Sequence, residues 1–382
     1  MSEPVFILSA ARTPIGSFQG SLAGSTAPEL GAHAIRAALE GSGLTDETID
    51  EVIMGNVISA GLKQAPARQA MRLAGLPDAC GALTVNKVCG SGMKATMLAH
   101  DLIRAGSAQR VVAGGMESMT NAPYLLTRAR SGMRMGHGQM FDAMFTDGLE
   151  DAETGGAMGT FAQATADSYQ LTREAMDDYA ITSLERARAA MAAGHLDTEI
   201  SPIRDVSEDE QPGRAKVEKI PTLRPAFKAD GTITAANSSS ISDGASALVL
   251  AAGNAIGAAT PLARIVGHAT FSRHPSEFTI APVGAIGALL ERLGWSVDDV
   301  DLFEINEAFA MVTMIAIAEL KLDPERVNVY GGACAQGHPI GSTGSRLIVT
   351  LAHAMARRNS RRGIAALCIG GGEATAVALS RE

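Results

Sequence analysis

Short apolar runs alternate along this chain with longer stretches in which apolar residues recur at helical spacing. The runs VFILS, VIMGNV, RVVAGG and ALVLAA occur in the first two thirds, and ARIVGH, LFEIN, VNVYGG and AALCIGG in the last third. Each is bounded by glycine or polar residues, which reads as strand. The stretches between them read as amphipathic helices. Helix and strand in alternation predict an α/β protein of mostly parallel sheets covered by helices.

The pattern repeats itself. APELGAHAIRAALEGSGLTDETIDEVIMGN (27–56) resembles APVGAIGALLERLGWSVDDVDLFEINEA (281–308) in its Ala-Pro, helical run, glycine, acidic helix start and apolar strand. LAHDLIRAGSAQRVVAGGMES (98–118) resembles LAHAMARRNSRRGIAALCIGGGEA (351–374), and Val-Asn precedes a glycine-rich turn at 85–86 and again at 327–328. Three matches in one order predict a duplicated unit. The stretch from 121 to 240 has no counterpart. It carries Met133, Met135, Met140 and Met144 in a glycine-rich segment, then a helical run for which Thr172 is the expected N-cap, then a charged, proline-containing segment. The expected organisation is an N-terminal half (1–120 plus 241–255), an inserted loop domain (121–240) and a C-terminal half (256–382), with AAGNAIGAAT (251–260) as the link.

Composition narrows the function. The 382 residues are 46% hydrophobic and 19% charged, an ordinary balance for a large globular core. Aromatics are 4% and the formal net charge is −9, which argues against nucleic-acid binding but leaves room for a local basic patch on a phosphate-rich ligand. The four cysteines, Cys80, Cys89, Cys334 and Cys368, are scattered, with no Cys-x-x-Cys or His-x-x-x-His spacing to suggest a metal. They fit a reducing compartment better than a disulfide framework. The N-terminal MSEPVFILSAARTP lacks a signal-peptide pattern and no apolar run reaches membrane-span length, so the cytoplasm is the expected location.

Four stretches carry candidate chemistry. In NKVCGSGMKA (86–95), Cys89 follows a strand-like run and precedes a helix. It is either a buried cysteine in a tight turn or a nucleophile whose thiolate the helix N-terminus favours. In YGGACAQGHPIGSTGSR (330–346), His338 sits in a glycine-rich loop before a helix, fit to take the Cys89 proton or to donate to an oxyanion, or simply to tie down its loop. Cys334, in the same loop, reads as structural. In ALCIGGGEATA (366–376), Cys368 ends a strand before glycines whose N–H groups can face a developing negative charge. In EINEAFA (304–310), Asn306 and Glu307 interrupt an apolar junction, for helix capping or to hold a catalytic water. His100 and His353 match in the repeat, which suggests a shared structural role.

Together NKVCGSGMKA, GGMESMTNAPY, NEAFA, GHPIGSTGSR and CIGGG resemble the thiolase family in order and spacing, and the resemblance spans essentially the whole chain. It implies the thiolase fold, two βαβαβαββ halves stacked as five α-β-α-β-α layers with an inserted loop domain. It also implies a reversible Claisen condensation and thiolysis of coenzyme A thioesters, most simply joining two acetyl-CoA. By the resemblance Cys89 carries the acyl group, His338 activates it, Asn306 holds a water that completes an oxyanion hole with His338, and Cys368 is the acid/base at the α-carbon. The N–H groups of Cys89 and Gly370 form a second oxyanion hole, and Ser239, Ala235, Met158 and Phe309 contact the substrate or coenzyme A. It further implies no permanently bound cofactor and a homodimer or homotetramer. The chain departs from the common family pattern at Cys334 and Gln336, at Ala374 and at Ala157, departures that bear on chain length rather than on the reaction. A degradative thiolase of longer chain length, a synthase acting on carrier-bound acyl groups and a non-catalytic acyl-CoA-binding protein are the rival readings.

Overall fold

The computed structural model describes residues 3–382, without the side chain of Glu47; the first two residues of the expected N-terminal half lie outside it. In chain order, β1 (Val5–Arg12), β2 (Gly16–Ser17), α1 (Ala27–Ser42), β3 (Glu51–Gly55), α2 (Pro66–Leu73), β4 (Gly81–Val85), α3 (Ser91–Arg104) and β5 (Arg110–Ser118) precede a long excursion. That excursion holds the small hairpin of β6 (Tyr124–Leu125) and β7 (Phe141–Asp142), then α4 (Met158–Ser168), α5 (Arg173–Ala192) and α6 (Glu210–Arg214). The chain returns as β8 (Ser242–Ala252). It continues through β9 (Ala263–Ser272), α7 (Ala281–Leu293), β10 (Leu302–Ile305), α8 (Ala310–Leu320), α9 (Ala333–Gln336), α10 (Ile340–Arg358), β11 (Arg362–Ile369) and β12 (Glu373–Ser380).

The strands join in the order β10-β11-β12-β9-β1-β8-β5-β3-β4. Outward from the β9–β1 junction, β1, β8, β5 and β3 mirror β9, β12, β11 and β10, so the duplication seen in the sequence is a duplication of topology. The junction is short: Val5, Phe6 and Ile7 pair with Ile265, Arg264 and Ala263. Two expectations need correction. Among the described strands only β3–β4, β3–β5 and β10–β11 pair in parallel, and the other ladders are antiparallel. β12 returns from β11 by a tight turn, which only an antiparallel pair allows, and β8 comes back from the long excursion running against β5. And VNVYGG forms no strand; beyond its own turn it makes a single bridge, between Phe303 and Val327. There the Asn328 side chain takes over the ladder, accepting from the Ile305 N–H and donating to the Ile305 carbonyl, each at 2.8 Å.

Strand alternation sorts the side chains into layers. Val111, Ala113, Leu248 and Leu250 face a central core shared with Met93, Met97, Leu347, Leu351 and Met355 of α3 and α10, and with Leu367, Val377 and Leu379 of the second half. Their neighbours Val112 and Val249 point the other way, onto Leu30, Ile35 and Leu39 of α1. In the second half Ile364, Ala376 and Ala378 meet Ile286 and Leu289 of α7. The result is the expected five layers, with α3 and α10 in the middle. Those two helices cross closely because Gly92 and Gly344 carry no side chain: a Cβ would lie 2.5 Å from the Ser345 Oγ and 2.4 Å from the Met93 nitrogen.

The excursion is anchored to the first half by charge. Fully buried Arg12 on β1 meets Glu199 (Nε–Oε1 2.6 Å) and Asp209 (Nη1–Oδ1 2.7 Å, Nη2–Oδ2 2.9 Å). Burial alone would lower the guanidinium, but the two carboxylates outweigh it and hold it protonated. Thr172 caps α5 as expected, accepting from the Ala175 N–H at 3.2 Å.

Candidate active site

Strand β4 ends in a strained turn. Val88 adopts φ 46°, a left-handed conformation unusual for a β-branched residue. Neighbours hold it there: the Asn86 Oδ1 accepts from the Val88 N–H at 3.0 Å, and the Ser91 Oγ accepts from the Lys87 N–H at 2.8 Å while donating to the Val88 carbonyl at 2.6 Å. Cys89 stands at the tip of this turn, and α3 begins two residues later with Gly90 as its cap. The helix N-terminus is therefore where the sequence puts it.

Its expected effect on the thiol is not. Cys89 keeps part of its surface open to a pocket, yet its thiol is pushed up to about 11, chiefly by desolvation among the pocket walls. The Gly370 N–H and its own N–H pull the other way without prevailing, and the Glu117 carboxylate adds to the rise. Cys368, 1% exposed at the end of β11, is raised further, by burial and then by the neighbouring Cys89.

His338 is buried just ahead of α10, its own backbone N–H donating to the Ser240 carbonyl at 3.0 Å. The Thr343 hydroxyl donates to the Pro339 carbonyl at 3.0 Å, so its oxygen is left to accept from the His338 Nδ1–H at 2.6 Å. This assigns the proton to Nδ1 and leaves Nε2 bare, 3.4 Å from the Asn306 amide nitrogen. Burial, with Arg346 nearby, lowers His338 to about 3, so it rests neutral. Asn306 is fully buried, and its Oδ1 makes no hydrogen bond within the protein.

These groups share one cavity of about 440 Å³. Cys89, His338, Cys368, Gly370, Ser239, Ala235, Met158 and Phe309 all line it. Asn306 does not line it and stands behind His338. The Ser239 N–H and Oγ both donate to the Ala308 carbonyl, at 2.9 and 3.0 Å, which fastens the segment 237–239 alongside Phe309. Glu307 parts company with Asn306. It accepts from Tyr179 (3.0 Å), Ser183 (2.7 Å), Asn328 (2.8 Å) and the Cys334 N–H (3.1 Å), an internal clamp away from the cavity. Neither residue caps α8, whose cap is Phe309 without a side-chain bond.

A model of the thiolase N-terminal domain matches residues 5–254 and one of the thiolase C-terminal domain matches residues 259–381. The chain belongs to the thiolase family. It is 47% identical to an acetyl-CoA acetyltransferase of Pseudomonas aeruginosa, with all of both chains covered, and 48% identical to one of Escherichia coli over 98% of each. A thiolase from Ascaris suum, Acat5, solved in complex with coenzyme A, superposes with a TM-score of 0.96 at 43% identity, over 99% of this chain and 100% of that one.

The departures from the thiolase pattern occupy different places. Cys334 borders an adjoining cavity of about 260 Å³ and Gln336 is buried, donating to the Tyr330 carbonyl at 3.1 Å; neither lines the main pocket. Ala374 lies in β12 paired with Cys368. Ala157 alone borders the main cavity. Sequence reasoning missed the apolar wall formed by Phe145, Leu149, Phe227, Phe278 and Ile340. Phe145 and Leu149 are spaced for one face of a helical turn, the signal that would have found them. The methionines also divide: Met144 is buried in a core with Ile58 and Ile340, whereas Met133, Met135 and Met140 are exposed. His100 and His353 do not share a role, since His353 bonds the Ala10 carbonyl at 2.8 Å and His100 faces Asp101 and His268.

Proposed function

We propose that this acyltransferase condenses two acetyl-CoA into acetoacetyl-CoA and free coenzyme A, and reverses the reaction by thiolysis. The carrying observation is the convergence of two thiols and a neutral imidazole with its bare Nε2 on one cavity. The Cys89 sulfur attacks the acetyl carbonyl as its proton passes to His338 Nε2. The carbonyl oxygen, turned towards the N–H groups of Cys89 and Gly370, carries the negative charge. The tetrahedral intermediate expels coenzyme A, which takes the Cys368 proton. This leaves an acetyl-Cys89, a Cys368 thiolate and a protonated His338. Burial that keeps Cys368 protonated at rest makes its thiolate the stronger base, and it removes the α-proton of a second acetyl-CoA. The enolate oxygen receives the His338 Nε2–H and a water on Asn306, whose unpartnered Oδ1 supports that role. The enolate carbon then attacks the acetyl carbon on Cys89, and the released Cys89 sulfur regains its proton from His338, so all three groups return to their starting states.

Further readings complete this one. Residues 121–240 form the coenzyme A platform, with Ser239, Ala235, Met158 and Phe309 along the pantetheine. The exposed Tyr124, Met133, Met135 and Met140 of the excursion, and Leu83 on the edge strand β4, supply apolar surface for a homodimer or homotetramer. The four cysteines are all free, which supports a reducing compartment such as the cytoplasm. Among the described residues no helix is long and apolar enough to cross a membrane. The test is thiolysis of acetoacetyl-CoA and of longer 3-ketoacyl-CoAs by the wild type, Cys89→Ala and Cys368→Ala. Acetoacetyl-CoA should be the preferred substrate, and each variant should lose at least about 10²-fold in kcat. Undiminished turnover by Cys89→Ala would refute the acyl carrier, and a long-chain optimum would refute the substrate.

A further inference from the structure

We infer that His100 Nδ1, Asp101 Oδ1 and His268 Nε2 form a divalent transition-metal site that takes Zn²⁺ and ties α3 of the first half to β9 of the second. These three atoms lie within 4.8 Å of one another. His100 Nδ1 is 3.2 Å and His268 Nε2 2.9 Å from the same Asp101 oxygen. A tetrahedral ion with ligand bonds of about 2.0–2.1 Å needs ligand separations of roughly 3.3–3.4 Å; the two nitrogen–oxygen distances are already near that, and the two nitrogens, at most 4.8 Å apart, would draw together around the ion. The two imidazole rings meet edge to face at 5.1 Å and 85°, which keeps them from stacking over the shared oxygen. Asp101 is exposed, so an ion has a path in and a solvent molecule can complete the tetrahedron. Two imidazoles and one carboxylate suit Zn²⁺, Co²⁺ or Ni²⁺ rather than Ca²⁺ or Mg²⁺.

The duplicated half supplies a control. Its helix α10 also places a histidine against the junction strands, but His353 is satisfied by one backbone carbonyl of β1. The fold needs no more than that, so the carboxylate beside His100 on α3 and the second histidine facing it from β9 are additions. Cations are close: Arg292 donates to the His268 carbonyl at 3.0 Å, and Lys94 and Arg104 act on the two histidines. Binding therefore depends on the Asp101 charge. The ligands come from α3 and from a strand far along the chain, which is why no spacing in the sequence announces them.

The experiment is Zn²⁺ binding by the chelator-stripped full-length protein after its thiols have been blocked with iodoacetamide, read by competition with a chromophoric chelator. One Zn²⁺ per chain is expected, lost in both Asp101→Asn and His268→Ala, with thiolysis by unblocked Asp101→Asn unchanged. Co²⁺ gives a second readout that relies on no variant: the blocked wild type should show the intense visible absorption of a tetrahedral nitrogen–oxygen site. No Zn²⁺ on the blocked wild type, wild-type binding by either variant, or only the weak octahedral Co²⁺ spectrum would overturn the site.

Discussion

At the residue scale, the order of proton affinities governs the site. Cys89 stands at about 11 and His338 at about 3, so the resting proton is on sulfur and no thiolate–imidazolium pair forms before substrate arrives. In the proposed mechanism ionisation is therefore coupled to attack. The rate of iodoacetamide alkylation at Cys89 should therefore climb about tenfold per pH unit from about pH 7 to about pH 10, following the thiolate fraction, with mass spectrometry fixing the site. A plateau below about pH 8 would show a pre-formed ion pair. The motif residues themselves were legible in the sequence, as was the helix start beside Cys89. The direction of the Cys89 shift was not, because the dipole is written locally while burial is created by segments from both halves. Asn306 and Glu307 illustrate the same divide: adjacent in sequence, they point to different neighbours, one to His338 and one to Tyr179, Ser183 and Asn328.

At the scale of elements, α3 and α10 decide where the candidate site sits. Cys89 precedes one helix and His338 the other, so their separation is set by a helix crossing that has room for hydrogen only at Gly92 and Gly344. Gly344→Ala would drive a Cβ to 2.4 Å from backbone, which cannot retreat as a side chain can. The expected cost is about 1–3 kcal/mol in denaturant unfolding, together with a lower kcat as the two helix starts are pushed apart. Helix and strand positions were largely readable because period and caps are local signals. The direction of strand pairing was not, since a strand beside its neighbour by tight return and one reached by crossover carry the same apolar run. Nor was the loss of the strand at Val327, where an asparagine side chain replaces the backbone ladder.

For the whole molecule, the duplication was the most legible feature and the excursion between β5 and β8 the least. Its composition showed an insertion but not what fastens it. Arg12, the last residue of β1, makes that attachment through Glu199 and Asp209, two carboxylates some two hundred positions away that no local pattern links to it. Arg12→Ala would leave both of them buried and uncompensated, and a loss of about 3–5 kcal/mol in global unfolding is expected. Replacing the two carboxylates by their amides in the same chain should recover part of that loss.

The β9 strand lies between the two ends of the chain: Arg264 pairs with Phe6 on one side and with Ser380 on the other. The first and last strands are thus two strand spacings apart, about 10 Å. The molecule is nearly a closed circle with one link missing. Either half could lead: a chain begun in the connection after β8, with its old ends joined across β9, would keep every ladder and both helix starts in place.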